Sequence, residues 1–128
     1  VAAMMLYIRF STVDPAKWHV ASGQQDIGDY PTLGSFTSVR SADADALVRL
    51  SEIALATPRT AVLAGSVEAG MVTFVTRSAL WGFPDYTTAE YADGVLKVHG
   101  RLRFGKGDMG VNRARVTGWL ADLDLANP

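Results

Sequence analysis

Alternation of apolar and polar positions is clearest over residues 95–104. Leu96, Val98, Leu102 and Phe104 fall on one side, and Lys97, His99, Arg101 and Arg103 on the other. That is the pattern of a strand, whose side chains alternate with period 2. Asp93-Gly94 just before it is a two-residue hairpin signal, which pairs this strand with one over 85–91. On that register Glu90 faces Lys97, Thr88 faces His99 and Tyr86 faces Arg101. Further strands are predicted at 35–40, 60–66 and 71–77, the last two joined by a turn at Glu68-Ala69-Gly70. The period changes at Ala46, Leu47, Leu50, Ile53 and Ala54, which are spaced for a helix over 42–56. Ser41 is its expected N-cap, Asp43 and Asp45 complement the helix dipole, and Thr57-Pro58 ends it. Val116, Trp119, Leu120 and Leu123 mark one face of a closing helix over 111–124. The pattern therefore predicts an α+β domain: an antiparallel sheet of about five strands, ordered strand, helix, four strands, helix, with both helices on one face. Trp81, Phe83 and Trp119 are assigned to the core.

The beginning of the chain reads differently. Val1 to Ile8 is an apolar run closed by Arg9, with no Met at position 1. Eight helical residues rise only about 12 Å against a bilayer core of about 30 Å, so the run does not span a membrane. It is read as the trimmed end of a membrane anchor, over residues 1–10, and as dispensable for folding. Residues 11–34 hold Pro15, Pro31, Gly23, Gly28 and Gly34 without a sustained period, and are read as an irregular arm held down by Trp18 and Tyr30. The single folded domain is placed at 35–128.

Composition narrows the chemistry. Among 128 residues, 12 Lys and Arg stand against 13 Asp and Glu, a formal net charge of −1, and there is no cysteine. Disulfides, thiol nucleophiles and cysteine-ligated metals are excluded, and nucleic acid is not an expected partner. No H-E-x-x-H, G-x-S-x-G or Walker loop occurs, and His19 and His99 do not have metal-ligand spacing. No cofactor and no metal are expected. Gly105-Lys106-Gly107-Asp108-Met109-Gly110 has the form G-x-G-x-x-G, but the sequence carries no parallel strand after it, so it is read as a tight turn with Asp108 capping the closing helix.

Charge is nonetheless uneven. From Lys97 to Arg115 there are six Lys or Arg and one carboxylate, Asp108. The row Lys97, His99, Arg101 and Arg103 is expected to form a basic sheet face that binds an anion, more strongly below about pH 6.5 where an unperturbed His99 gains its proton. Arg77, Asp108, Asn112, Arg113 and Arg115 complete the candidate ligand-binding set. An acid–base set of Glu90, His99 and Asp108 is the enzymatic alternative.

The carboxy-terminal half also carries ordered blocks: Phe74-Val75-Thr76-Arg77, Gly82-Phe83-Pro84-Asp85, Arg101-Leu102-Arg103-Phe104-Gly105, and Asp108 through Val116. In these it resembles the bacterial and plastid domain-of-unknown-function family 1499, whose most specific segment corresponds to Arg103–Val116. Leu102 and Gly107 depart from the family pattern, each standing where a serine is expected. The resemblance implies an α+β domain, in many members behind a membrane anchor or export signal, and no established reaction, cofactor or partner. It further implies that Asp108 and Asn112 organise a turn and helix start while arginines pair with Asp85 and Asp108. The functional expectation is a non-catalytic envelope domain, membrane-associated at the periplasmic face of the inner membrane. It would bind an anionic small molecule, a lipid head group or a partner protein through the basic face. The alternatives are a hydrolase using His99 with a carboxylate, and an accessory subunit of a membrane complex attached through the N-terminal segment.

Overall fold

The computed structural model describes residues 2–10 and 12–126. In chain order the elements are α1 (Ala2–Phe10), α2 (Pro15–Trp18), β1 (Gly28–Pro31), β2 (Ser35–Ser41), α3 (Ala46–Leu55), β3 (Thr60–Ser66), β4 (Met71–Arg77), β5 (Pro84–Ala92), β6 (Val95–Leu102) and α4 (Val111–Ala126). The class is α+β, as predicted.

The sheet grows outward from the hairpin. Asp93 and Gly94 both take positive φ, 52° and 78°, which a tight two-residue hairpin turn demands. β5 and β6 then pair in the predicted register, with Glu90 opposite Lys97, Thr88 opposite His99 and Tyr86 opposite Arg101. The full order is β1-β2-β6-β5-β4-β3, with every neighbouring pair antiparallel. The sheet has six strands rather than about five. The additional one, β1, lies in the stretch read as irregular. Four residues with Gly28 and Pro31 at the ends give no alternation to read, and Pro31 is tolerated because β1 is an edge. At the opposite edge the β3–β4 register shifts between Val62 and Ala64.

α3 begins later than predicted. Ser41 is the last residue of β2 and does not cap the helix. The Asp43 carboxylate instead accepts from the Asp45 N–H at 3.0 Å and holds Arg49 at 2.9 Å, folding the connection between strand and helix.

Both helices cover one face, as the strand alternation implied. Phe36, Val72, Phe74, Ala89, Leu96 and Val98 meet Leu47, Leu50, Ala54, Val116, Trp119, Leu120 and Leu123 there. Gly100 lets α4 lie directly on β6, since a Cβ at this position would stand 2.8 Å from Asn112 Oδ1. Trp119 is 5% exposed, sets its ring edge-on to Phe74 at 5.9 Å, and donates its indole N–H to Thr57 Oγ1 at 3.0 Å. Trp81 and Phe83 do not join this core. They stack on each other at 5.7 Å in the loop between β4 and β5, beyond the end of the sheet, and Phe83 is exposed.

The other face is covered by the arm. Trp18 lies on Tyr86 at 4.5 Å, and Tyr7 of α1 meets Phe104 edge-on at 6.0 Å. Ile8 is 3% exposed, so α1 is docked on the domain by its buried side. Among the described residues no helix is long and apolar enough to cross a membrane.

Candidate functional site

The row of cations on β6 is where the alternation put it, but the arm lies over it. Lys97 Nζ donates to the carbonyl of Ser22 at 3.1 Å. Arg101 donates to the carbonyl of Trp18 and, at 2.8 Å, to Thr88 Oγ1. Arg103, just past the end of β6, donates to the carbonyl of Thr12 at 2.8 Å and to the Tyr86 hydroxyl at 3.3 Å. Arg77 reaches the carbonyls of Gly82 at 2.8 Å and Ile8 at 3.4 Å. Main-chain carbonyls, which carry no net charge, thus occupy the position expected for an anion. Arg101 is 8% exposed, and burial pulls its pKa down to about 10, still charged at neutral pH. Beside it Thr73 Oγ1 bonds both His19 Nδ1 at 2.8 Å and Thr88 Oγ1 at 2.7 Å, so arm and sheet share one hydrogen-bonded layer.

His99 corrects an expectation. Burial, reinforced by Arg101 and Lys97, lowers its pKa to about 4, and its Nδ1 shares a 2.6 Å hydrogen bond with Thr37 Oγ1. It does not gain a proton near pH 6.5. The set Glu90, His99 and Asp108 is not assembled either. Glu90 and His99 belong to the arm-covered side of the hairpin, while Asp108 binds the first turn of α4.

The second group of candidates does converge. Gly105 and Gly110 adopt left-handed backbone, φ 96° and 80°, and so does Met109 at 54°, a conformation that costs a side-chain-bearing residue energy. Asp108 holds this turn. Its Oδ1 accepts from the Gly110 N–H at 2.9 Å, and its Oδ2 accepts from the Asn112 N–H at 3.1 Å and from Asn112 Nδ2 at 2.8 Å. Asn112 is fully buried, and its Oδ1 accepts from Arg115 at 3.1 Å. Arg115 in turn bonds Asp85 Oδ2 on β5 at 3.1 Å. A continuous polar chain therefore runs from turn to helix to sheet.

Asp108 is the helix cap that the sequence suggested. The arginine pairing holds for Asp85 and Arg115 but not for Asp108, whose oxygens are taken by Asn112 and the Gly110 N–H. Arg113 points elsewhere, 5.6 Å above the Phe36 ring.

A cleft of about 470 Å³ opens beside this chain. Phe83, Leu102, Phe104, Met109 and Val111 give it apolar walls, and Asp85, Asp108 and Arg115 line it too. Burial raises the Asp85 pKa above the usual carboxylate value, outweighing the opposing pull of Arg115, and Asp108 pushes it the same way. Sequence reasoning left Asp85, Phe83 and Met109 out of the candidate set. The block Gly82-Phe83-Pro84-Asp85 was the available signal, because it is the loop that brings the aromatic wall and the carboxylate together.

A comparison with curated proteins gave no match. The family model described as a protein of unknown function, DUF1499, matches residues 10–123. The match takes in the arm and β1 together with the cleft and its polar chain. On that coverage the chain belongs to the DUF1499 family of proteins of unknown function.

Proposed function

We propose that this is a non-catalytic binding domain whose ligand sits in the cleft between the β4–β5 loop and the glycine turn before α4. The observation that carries the reading is the composition of that cleft: apolar walls enclosing a shielded Asp85–Arg115 pair. Its volume lies within the range of about 300–1,000 Å³ usual for small-molecule sites. Asp85 and Arg115 engage each other and Asp108 is committed to its turn, which favours holding a ligand over moving protons. Arg115 engages only Oδ2 of Asp85, so Oδ1 suits a small apolar molecule bearing a hydroxyl or amine donor. Titrating cyclohexanol and cyclohexylamine into labelled protein tests this by NMR. Shifts at Met109, Val111 and Asp85 are expected, with binding about tenfold weaker in Asp85→Asn, the loss of one charge-assisted hydrogen bond. Absence of shifts at these residues would remove the reading.

The outer side of α1 favours a second reading, that the domain works beside a membrane. Leu6 lies on the side of α1 away from the docked Ile8 and is largely exposed, as are Met4, one turn before Ile8, and Tyr7, an arrangement suited to lying in a headgroup layer. Flotation with liposomes should recover the wild type and not Leu6→Asp; equal recovery of both would count against it.

A further inference from the structure

Not every cation of the arm-covered face is closed over. At its margin, where the arm turns past the end of β6, a cavity of about 480 Å³ is lined by Arg103, Lys17, Tyr7, Trp18 and Phe104, together with Thr12, Val13 and Asp14. The three aromatic residues belong to α1, α2 and the stretch after β6. Arg103 stands 4.9 Å from the Phe104 ring and Lys17 Nζ stands 5.8 Å from the Trp18 ring. Ion pairs among the described residues join Arg40 to Asp124, Arg49 to Asp43 and Arg115 to Asp85, and none involves Lys17 or Arg103. The nearby carboxylate of Asp14 is engaged in capping α2, accepting from the Ala16 N–H at 3.1 Å. The bonds from Arg103 to Thr12 and Tyr86 fix its planar fork and leave donors on it to spare. Two cations, one fork and one ammonium, therefore share an aromatic-walled cavity with a single carboxylate, Asp14, and outnumber it.

We infer that this cavity is an anion site for a phosphate group carried on an apolar or aromatic body. It adjoins the cleft beside α4 through the shared Phe104 ring, but has its own charged groups and does not depend on the reading given to that cleft. Arg103 offers paired N–H donors to two phosphate oxygens, and Lys17 adds a mobile point charge, the usual division of labour between these residues. The rings supply the surface for the rest of the ligand. A soluble aryl phosphate and a phospholipid headgroup present the same chemistry here.

NMR titrations at low salt test the site with inorganic phosphate, phenyl phosphate and phosphatidylglycerol vesicles, with the Trp18 indole N–H as reporter. Phenyl phosphate is expected to shift that signal and to bind more tightly than inorganic phosphate. Lys17→Gln, an exposed substitution that leaves the fold intact, should weaken it about tenfold, and added salt should weaken it further. Lys17→Gln/Arg103→Gln should abolish binding, and Lys106→Gln, in the glycine turn, should leave it unchanged. Vesicle binding that is lost in Lys17→Gln assigns the phosphate to a lipid; phenyl phosphate binding without vesicle binding assigns it to a soluble ester. The inference is overturned if no probe binds, if Lys17→Gln binds as tightly as wild type, or if Lys106→Gln weakens binding equally. Inorganic phosphate binding as tightly as phenyl phosphate would overturn the role given to the rings.

Discussion

The two faces of the sheet exclude water by different means. Under α3 and α4, apolar side chains meet apolar side chains, and the contact is non-directional. Under the arm, Thr88, Lys97, Arg101 and Arg103 donate to main-chain carbonyls while both histidines bond threonine hydroxyls, and each bond must find its partner. The first arrangement tolerates small shifts; the second holds only while the arm keeps its register, because a buried donor left unpaired costs more than the bond contributed. The helix side is therefore expected to set global stability, and the arm side to open first.

Trp119→Ala gives the largest test. With the ring buried, denaturant unfolding should show a loss of about 3–5 kcal/mol, shared by every probe. A loss under about 1 kcal/mol would mean that the helix side is not what holds the domain. Arg101→Met strikes the other face. It should cost about 1–3 kcal/mol by removing the charged donor that ties the Trp18 carbonyl to Thr88, and proteolysis within residues 12–27 should begin under conditions where β4–β6 remain protected. Simultaneous release of both layers would erase the distinction.

Acid adds a finer probe. His99 titrates near 4 when folded and near its ordinary 6.5 when unfolded, so the unfolded chain binds more protons between these values. Its contribution is complete above pH 6.5 and is lost as pH falls towards 4. Asp85, whose pKa is raised, acts with the opposite sign: its burial penalty is relieved as acid protonates it. The slope of melting temperature against pH between 6.5 and 4 should flatten in His99→Gln; an unchanged slope would detach the acid response from the arm-covered face. The smallest expected effect lies back under the helices. Thr87 Oγ1 is buried there without a hydrogen-bond partner, and Thr87→Val should stabilise by about 1 kcal/mol in denaturant melts. Destabilisation would show that the hydroxyl is satisfied.

What was legible in the sequence follows the same division. The Asp93-Gly94 turn, the facing of Lys97, His99 and Arg101, and the apolar stripe ending at Leu123 are local or periodic signals, and each appears in the fold. The arm lacked such a signal because its bonds to Arg101 and Lys97 span most of the chain and depend on main-chain atoms, which every residue possesses. β1 was hidden by its length. Asp108 could be read as a cap because acceptor and donors lie within four residues. The resemblance implied an arginine for Asp85, but which one is settled only where the sheet and α4 meet, since Arg115 lies 30 residues away. The charge state of His99 is not legible in the sequence because its residue type gives an ordinary pKa, and burial together with Arg101 and Lys97 moves it.

The register shift between Val62 and Ala64 has a bearing on behaviour at high concentration. An open sheet ends in rows of unpaired amide and carbonyl groups, which invite strands from other molecules. At the β3 edge the irregularity bends the strand and breaks the straight ladder a newcomer would need. At the opposite edge β1 offers four residues and finishes in Pro31, which has no N–H to donate. Both borders of the sheet thus resist edge-to-edge growth into fibres.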